Sequence, residues 1–210
     1  MRPSVEVVLL AAGASRRMRG RDKLLEEIDG EPQLRRAAKA ALGSQADRVV
    51  VVLPPENPPR RAALRGLAVD IVESADWRAG LSASIRTGVA AVSAECDAVV
   101  VALADMPEIA QGHYDRLMAA FDPAENREIC RAVAGDGTRG HPVLFGRRFF
   151  ESLARLHGDR GARDILADAG EFIVDVATDG PGAAVDLDTP EAWAGWRRQR
   201  LAKAESDGEN

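Results

Sequence analysis

Val5 to Ala11 is apolar at every position but Glu6, and such a run, closed by Ala12-Gly13, has the pattern of a strand buried on both faces. A strand of that kind needs paired neighbours on both edges and cover above and below. Similar runs return at Arg48 to Leu53 and Asp97 to Leu103, with helical segments between them. Gln33 to Leu42 places Leu34, Ala37, Ala38, Ala41 and Leu42 at helical spacing, opens after Pro32 and stops at Gly43. Leu81, Ile85, Val89 and Val92 predict a second helix, Ser82 to Val92, entered from Gly80 and capped by Ser82. This alternation implies βαβ units with right-handed crossovers, and so a three-layer α/β/α, Rossmann-like domain around a mostly parallel sheet. Aromatic residues are only 4% of the chain, so Ala, Val, Leu and Ile must fill the core.

The rest of the chain extends this plan. Four prolines between Pro54 and Pro59 form a stiff loop into a short helix near Arg60 to Leu67, followed by a strand at Val69 to Val72. Further helices are expected at Gln111 to Phe121, Arg148 to Leu156, Ala162 to Ala169 and from Glu191 onward. Strands are expected at Glu128 to Val133, Pro142 to Phe145 and Phe172 to Val176. The 210 residues suit one domain over 1–203, with polar residues 204–210 as a disordered tail. A net charge of −5 gives no general basic field for nucleic acid or a membrane surface. No apolar run approaches membrane-spanning length and no secretory leader opens the chain, so a cytoplasmic protein is expected. Cys96 and Cys130 lack metal-ligand or framework spacing and read as buried thiols.

The chemistry concentrates after the first strand. Residues 16–23 hold five basic side chains and one acid in an acidic chain. Ala12 and Gly13 let backbone N–H groups approach a ligand, and open α/β sheets bind ligands outside the carboxyl ends of their strands. Phosphate is the expected guest, although no G-x-x-x-x-G-K-[ST] is present and a P-loop is excluded. Gly135-Asp136-Gly137-Thr138-Arg139-Gly140 fits G-x-G-x-x-G, but the strand His141-Pro142-Val143-Leu144-Phe145 follows where a dinucleotide site needs a helix. A hairpin turn is the reading there.

The stretch Leu10-Ala11-Ala12-Gly13-Ala14-Ser15-Arg16-Arg17-Met18, with Lys23-Leu24 beyond it, resembles the signature of the molybdenum cofactor nucleotidyltransferases, especially the cytidylyltransferase branch. Further similar blocks follow in order: Gly80 to Ile85, Leu103 to Pro107, Gly140 to Phe145, Gly158 to Arg163 and Asp186 to Glu191. Arg19 stands where the family usually has Gly, and one extra residue precedes Lys23. The resemblance implies a nucleotide-diphospho-sugar transferase type of fold. It also implies transfer of CMP from CTP to the phosphate of molybdopterin, with release of pyrophosphate. Ala12, in place of the Gly of the guanylyl branch, favours CTP over GTP. Delivery to a molybdoenzyme or its chaperone is the implied partnership, with no nucleic acid and no membrane.

Each block has a chemical reason. In-line attack on the α-phosphorus builds charge on the leaving pyrophosphate, so cations must stand there. The resemblance puts Arg17 and Lys23 on the triphosphate, and Leu10, Ala11, Ala12, Gly13 and Ser15 on the nucleotide. Asp105 follows a strand directly, where a carboxylate can hold Mg²⁺, or Mn²⁺, with substrate phosphates. Asp188 matches the family's second metal position, with Asp186 as the alternative ligand and helix capping as the alternative role for Asp188. Gly80, Ser82 and Ser84 resemble the wall of the base and ribose pocket. Arg139 and His141 resemble the acceptor side, and Asp159 and Arg163 open a helix suited to a phosphate-bearing acceptor. The competing readings are a GTP-using enzyme, a sugar or polyol phosphate nucleotidyltransferase, and a non-catalytic cofactor carrier that would not need two converging carboxylates.

Overall fold

The valine-rich runs become the central strands. The computed structural model describes residues 2–159, 161–178, 182–185 and 187–208, with side chains through residue 202 except that of 184. From β1 (Val5–Leu10) the chain enters a basic loop with 3-10 turns at Arg16–Met18 and Lys23–Leu25. A small antiparallel pair, β2 (Glu27–Ile28) and β3 (Glu31–Pro32), then leads into α1 (Gln33–Leu42). There follow β4 (Arg48–Leu53), α2 (Pro58–Ala63), β5 (Asp70–Glu73), α3 (Leu81–Ala90), β6 (Ala98–Leu103) and α4 (Gln111–Ala120). The remainder comprises β7 (Ile129–Val133), β8 (Arg139–Gly146), α5 (Phe150–Ala154), α6 (Arg163–Asp168), β9 (Ile173–Ala177) and α7 (Pro190–Gly208).

Among the described residues the main sheet has seven strands in the order β5-β4-β1-β6-β8-β7-β9. Its pairs are parallel except those of β8, which runs antiparallel to both β6 and β7. Alternation along β1 divides the core. Val5, Val7 and Leu9 pack with Leu34, Ala37 and Ala41 of α1 and Leu117 of α4. Val8 and Leu10 pack on the other face with Ile85 and Val89 of α3 and Leu153 of α5. Burying one Val or Leu contributes about 1.5–3 kcal/mol, against about 0–1 kcal/mol for an exposed ion pair, so β1 is a firm base for the loop it carries.

Close approach of α3 to the sheet depends on Gly88, where a Cβ would stand 2.2 Å from Val8 Cγ1 and 3.1 Å from Val52 Cγ2. Gly88→Ala is expected to destabilise the protein by about 1–3 kcal/mol through overpacking, measured as a lower urea midpoint. Both cysteines are buried, and burial pushes the Cys96 thiol up to about 11 and the Cys130 thiol to about 12. Since the thiolate is the nucleophile, Ellman's reagent at pH 8 is expected to find no reactive thiol before denaturation and the chain's two cysteines after it.

Several boundaries differ from those read in the sequence. α3 starts at Leu81 because Gly80, at φ 104°, turns the chain directly into the helix, so Ser82 is not its cap. α2 begins earlier than expected, at Pro58, with the Asn57 side chain accepting from Arg60 N at 3.0 Å. Arg148 to Leu156 is a 3-10 turn, Arg147–Phe149, followed by the shorter α5. α7 runs to Gly208, into the stretch read as a disordered tail; residues 209 and 210 lie outside the described residues. The glycine-rich stretch after β7 is a hairpin turn, closed by Ala134 N donating to Thr138 O and Gly137 N to Ala134 O, each at 2.9 Å. No helix among the described residues is long and apolar enough to cross a membrane.

Candidate active site

The basic loop, the end of β6 and the approach to α7 meet at the carboxyl ends of the parallel strands. They line a cleft of about 370 Å³ with Leu10, Ala12, Gly13, Ser15, Arg17, Lys23, Gly80, Ser84, Asp105, Asp159 and Asp188. Sequence positions as remote as Lys23, Asp105 and Asp188 thus share one wall. The Lys23 ammonium pairs with both Asp105 and Asp188, and Arg17 pairs with Asp188. Two carboxylates bonded to one nitrogen have oxygens no more than about 6 Å apart, twice a hydrogen-bond length. Their side chains are 19% and 18% exposed, and Lys23's is 10% exposed. The charges therefore face one another largely away from bulk water, where they interact more strongly than exposed ones.

Each acidic group is held from behind. Asp105 stands one residue past β6, and the buried Gln33 donates through Nε2 to the intervening Ala104 carbonyl at 2.8 Å. Asp188 precedes the cap of α7: Thr189 Oγ1 accepts from Ala192 N at 3.1 Å, so Thr189 is the cap and Asp188 is left to face the basic loop. α7 itself is fixed by Trp193, wholly buried with Met18, Ile28 and Leu187, its Nε1 donating to Leu187 O at 3.0 Å. Arg197–Glu26 and Arg200–Asp29 ion pairs, at 2.9 and 2.6 Å, tie the helix to the segment that follows the loop.

The carboxylate pair fits a divalent cation. Asp105 Oδ1 is buried with no hydrogen-bond partner among the described residues, an acceptor still owed a positive neighbour. No group of three His, Cys, Asp or Glu gathers among the described residues. Two carboxylates are the donor set expected for Mg²⁺ that completes its shell with water and phosphate oxygens. Asp186 lies outside the described residues.

Not every expected residue reaches the cleft. Ser82 is fully buried and its Oγ donates to His157 O at 3.2 Å, so it braces the wall instead of lining it. Ala11 has both backbone groups in use: its N–H donates to Val52 O at 2.9 Å, and its carbonyl accepts from Arg60 at 2.6 Å. Asp159 packs directly on Gly80, where a Cβ would come within 1.7 Å of its Oδ1, and so belongs to the wall that Gly80 and Ser84 form. The antiparallel pairing of Val101 with Val143 brings the start of β8 to the sheet edge that carries Asp105. Arg139 is there engaged by Asp175 of β9 at 3.0 Å. His141 is half-buried near Val101, Asp105 and Arg163. Burial holds its imidazole below the ordinary histidine value, against the opposing pull of the Val101 backbone and the Asp105 charge. Arg160, quoted with Asp159 and Arg163 in one block, lies outside the described residues.

The structure adds residues that sequence reading passed over. Trp77 and Arg78, stacked at 5.0 Å, line the cleft from the turn before Gly80. An aromatic residue just ahead of a glycine that opens a helix was the available signal. Arg19 takes a left-handed conformation, φ 53°, the region where glycine is at ease, which accounts for the family's usual residue there.

The comparisons show the fold and the family. The model of the MobA-like NTP transferase domain matches residues 7–173. The purine catabolism protein PucB of Bacillus subtilis is 33% identical, covering 91% of this chain and 95% of that protein. The molybdenum cofactor guanylyltransferase of Shewanella loihica is 28% identical over 97% and 98% of the two chains. The crystal structure of Mycobacterium tuberculosis Rv0371c in complex with manganese superposes with a TM-score of 0.76 at 29% identity, covering 91% of this chain and 96% of that one. With that family model over residues 7–173 and a relative 33% identical along nearly the whole length, the chain belongs to the MobA-like NTP transferase family.

Proposed function

We propose that the protein transfers CMP from CTP to the terminal phosphate of molybdopterin, releasing pyrophosphate, in a reaction that depends on Mg²⁺ or Mn²⁺. The observation that carries this reading is the convergence of Asp105 and Asp188 on Lys23 beside Arg17. Among the described residues that cluster sets two acids beside two cations, groups that suit a divalent cation and triphosphate oxygens respectively. The carboxylates gain a divalent cation, and Lys23 and Arg17 gain phosphate oxygens. Bound between Asp105 and Asp188, the metal would neutralise oxygens of the triphosphate. Lys23 supplies a point charge and Arg17 a bidentate fork where the leaving pyrophosphate accumulates charge. Leu10, Ala12, Gly80 and Ser84 hold the nucleoside, while His141 and Arg163 lie on the acceptor side of Asp105. The acceptor phosphate is itself the nucleophile, so no side chain needs to form a covalent intermediate.

CTP is favoured by Ala12, which stands in the cleft where the guanylyl branch has glycine. GTP is the second reading, supported by the name of the Shewanella relative. Pyrophosphate release, measured with each nucleoside triphosphate, Mg²⁺ and molybdopterin, separates the readings. Release with CTP supports the proposal. Release with GTP alone replaces the donor, and no release with any donor favours a carrier.

A further inference from the structure

Arg60 does not line the cleft, yet it lies beneath the loop that does. Its side chain is 3% exposed. Nε and Nη2 donate to Oδ2 and Oδ1 of Asp22 at 2.7 and 2.9 Å, a two-pronged pair. The same guanidinium reaches the Ala11 carbonyl through Nη1 at 2.6 Å and the Gly13 carbonyl through Nη2 at 2.8 Å. Asp22 in turn accepts from Leu24 N at 3.0 Å and from Ser15 Oγ at 3.2 Å. One planar cation thus joins the exit of β1 to the residue immediately before Lys23. A lysine could not do this, because an ammonium has no rigid fork to satisfy a carboxylate and two carbonyls together.

The loop needs such a brace. Ser15 and Arg19 both take left-handed conformations, at φ 49° and 53°, which side-chain-bearing residues rarely hold without support. A buried ion pair is weak evidence of stabilisation, since desolvation offsets its attraction, so its geometry is the more informative property. We propose that Arg60 is a positioning residue for nucleotidyl transfer. It fixes the spacing between the Gly13 backbone and the Lys23 ammonium, so that both meet one triphosphate at once. This rests on the nucleotide-binding reading of the loop.

The test uses the full chain, Arg60→Met, and Arg60→Met combined with Asp22→Asn, which removes both charges of the pair and leaves neither unpaired. Amide exchange across residues 13–24 without ligand, the thermal midpoint and KM for each substrate are measured. The double variant is expected to recover most of the midpoint that the single variant loses. Its loop still exchanges at least about tenfold faster, and its KM for the nucleoside triphosphate stays at least about tenfold raised while KM for the acceptor is unchanged. A double variant whose loop protection and nucleotide KM return with its stability overturns the proposal. If the wild type binds no nucleoside triphosphate, the nucleotide reading fails, and loop exchange alone decides whether Arg60 is the brace.

Discussion

Asp105→Ala is expected to lower turnover by at least about 10²-fold, the scale of losing one preorganised electrostatic contact in a transition state. The substitution removes the buried oxygen that has no hydrogen-bond partner among the described residues and takes one carboxylate away from Lys23. Asp188→Ala should act in the same direction, because either carboxylate by itself is a poor half-shell for a divalent ion. The decisive measurement is pyrophosphate release at saturating donor and metal, with Mn²⁺ binding followed separately by its paramagnetic signal. Asp105→Asn provides the control of equal size: it should keep the thermal midpoint while losing both metal affinity and rate. Turnover near that of the wild type in Asp105→Ala would remove this residue from the reaction.

Gly80→Ala should damage fold and site together. Gly80 has φ 104° and ψ −172°, a region essentially closed to residues with a Cβ, and that strain alone costs about 1–3 kcal/mol. The new methyl would also stand 1.7 Å from Asp159 Oδ1 and 3.1 Å from Asp159 Cα, so the turn before α6 must move and not merely rotate a side chain. The expected outcome is a lower denaturation midpoint and at least about a tenfold loss of nucleotide affinity by calorimetry. Pairing it with Asp159→Gly relieves the collision but leaves the backbone strain, so only part of the affinity should return. Unchanged affinity in Gly80→Ala would show that this wall does not contact the nucleotide.

Much of the scaffold was legible because the sheet demands it. Arg48 to Leu53 and Gln33 to Leu42 appear in the structure with the boundaries read from the sequence, the first from its continuous apolar run and the second from helical spacing with a terminal glycine. The place of Asp105 in the cleft was legible for a related reason: an acid just past the end of a buried strand lies at the carboxyl edge of the sheet. Local periodicity carries no such information about Arg60. A basic residue beside prolines reads as surface, and only the fold brings it to Ala11 and Asp22. Ser82 was misread because a hydroxyl near a helix start suits a cap equally well, and a single torsion at Gly80 decided the matter. β2 and β3, two residues each, are too short to show a period at all.

Asp188 reaches the site from the start of the final helix, after every strand of the main sheet has been laid down. A ribosome making this chain therefore finishes the sheet, the basic loop and Asp105 well before the second acid emerges. Until α7 docks its tryptophans, the cleft has its basic loop and Asp105 but not Asp188. On the proposed reading, the cluster of Asp105, Lys23 and Asp188 is completed late in synthesis, and a product truncated ahead of Asp188 is expected to release no pyrophosphate.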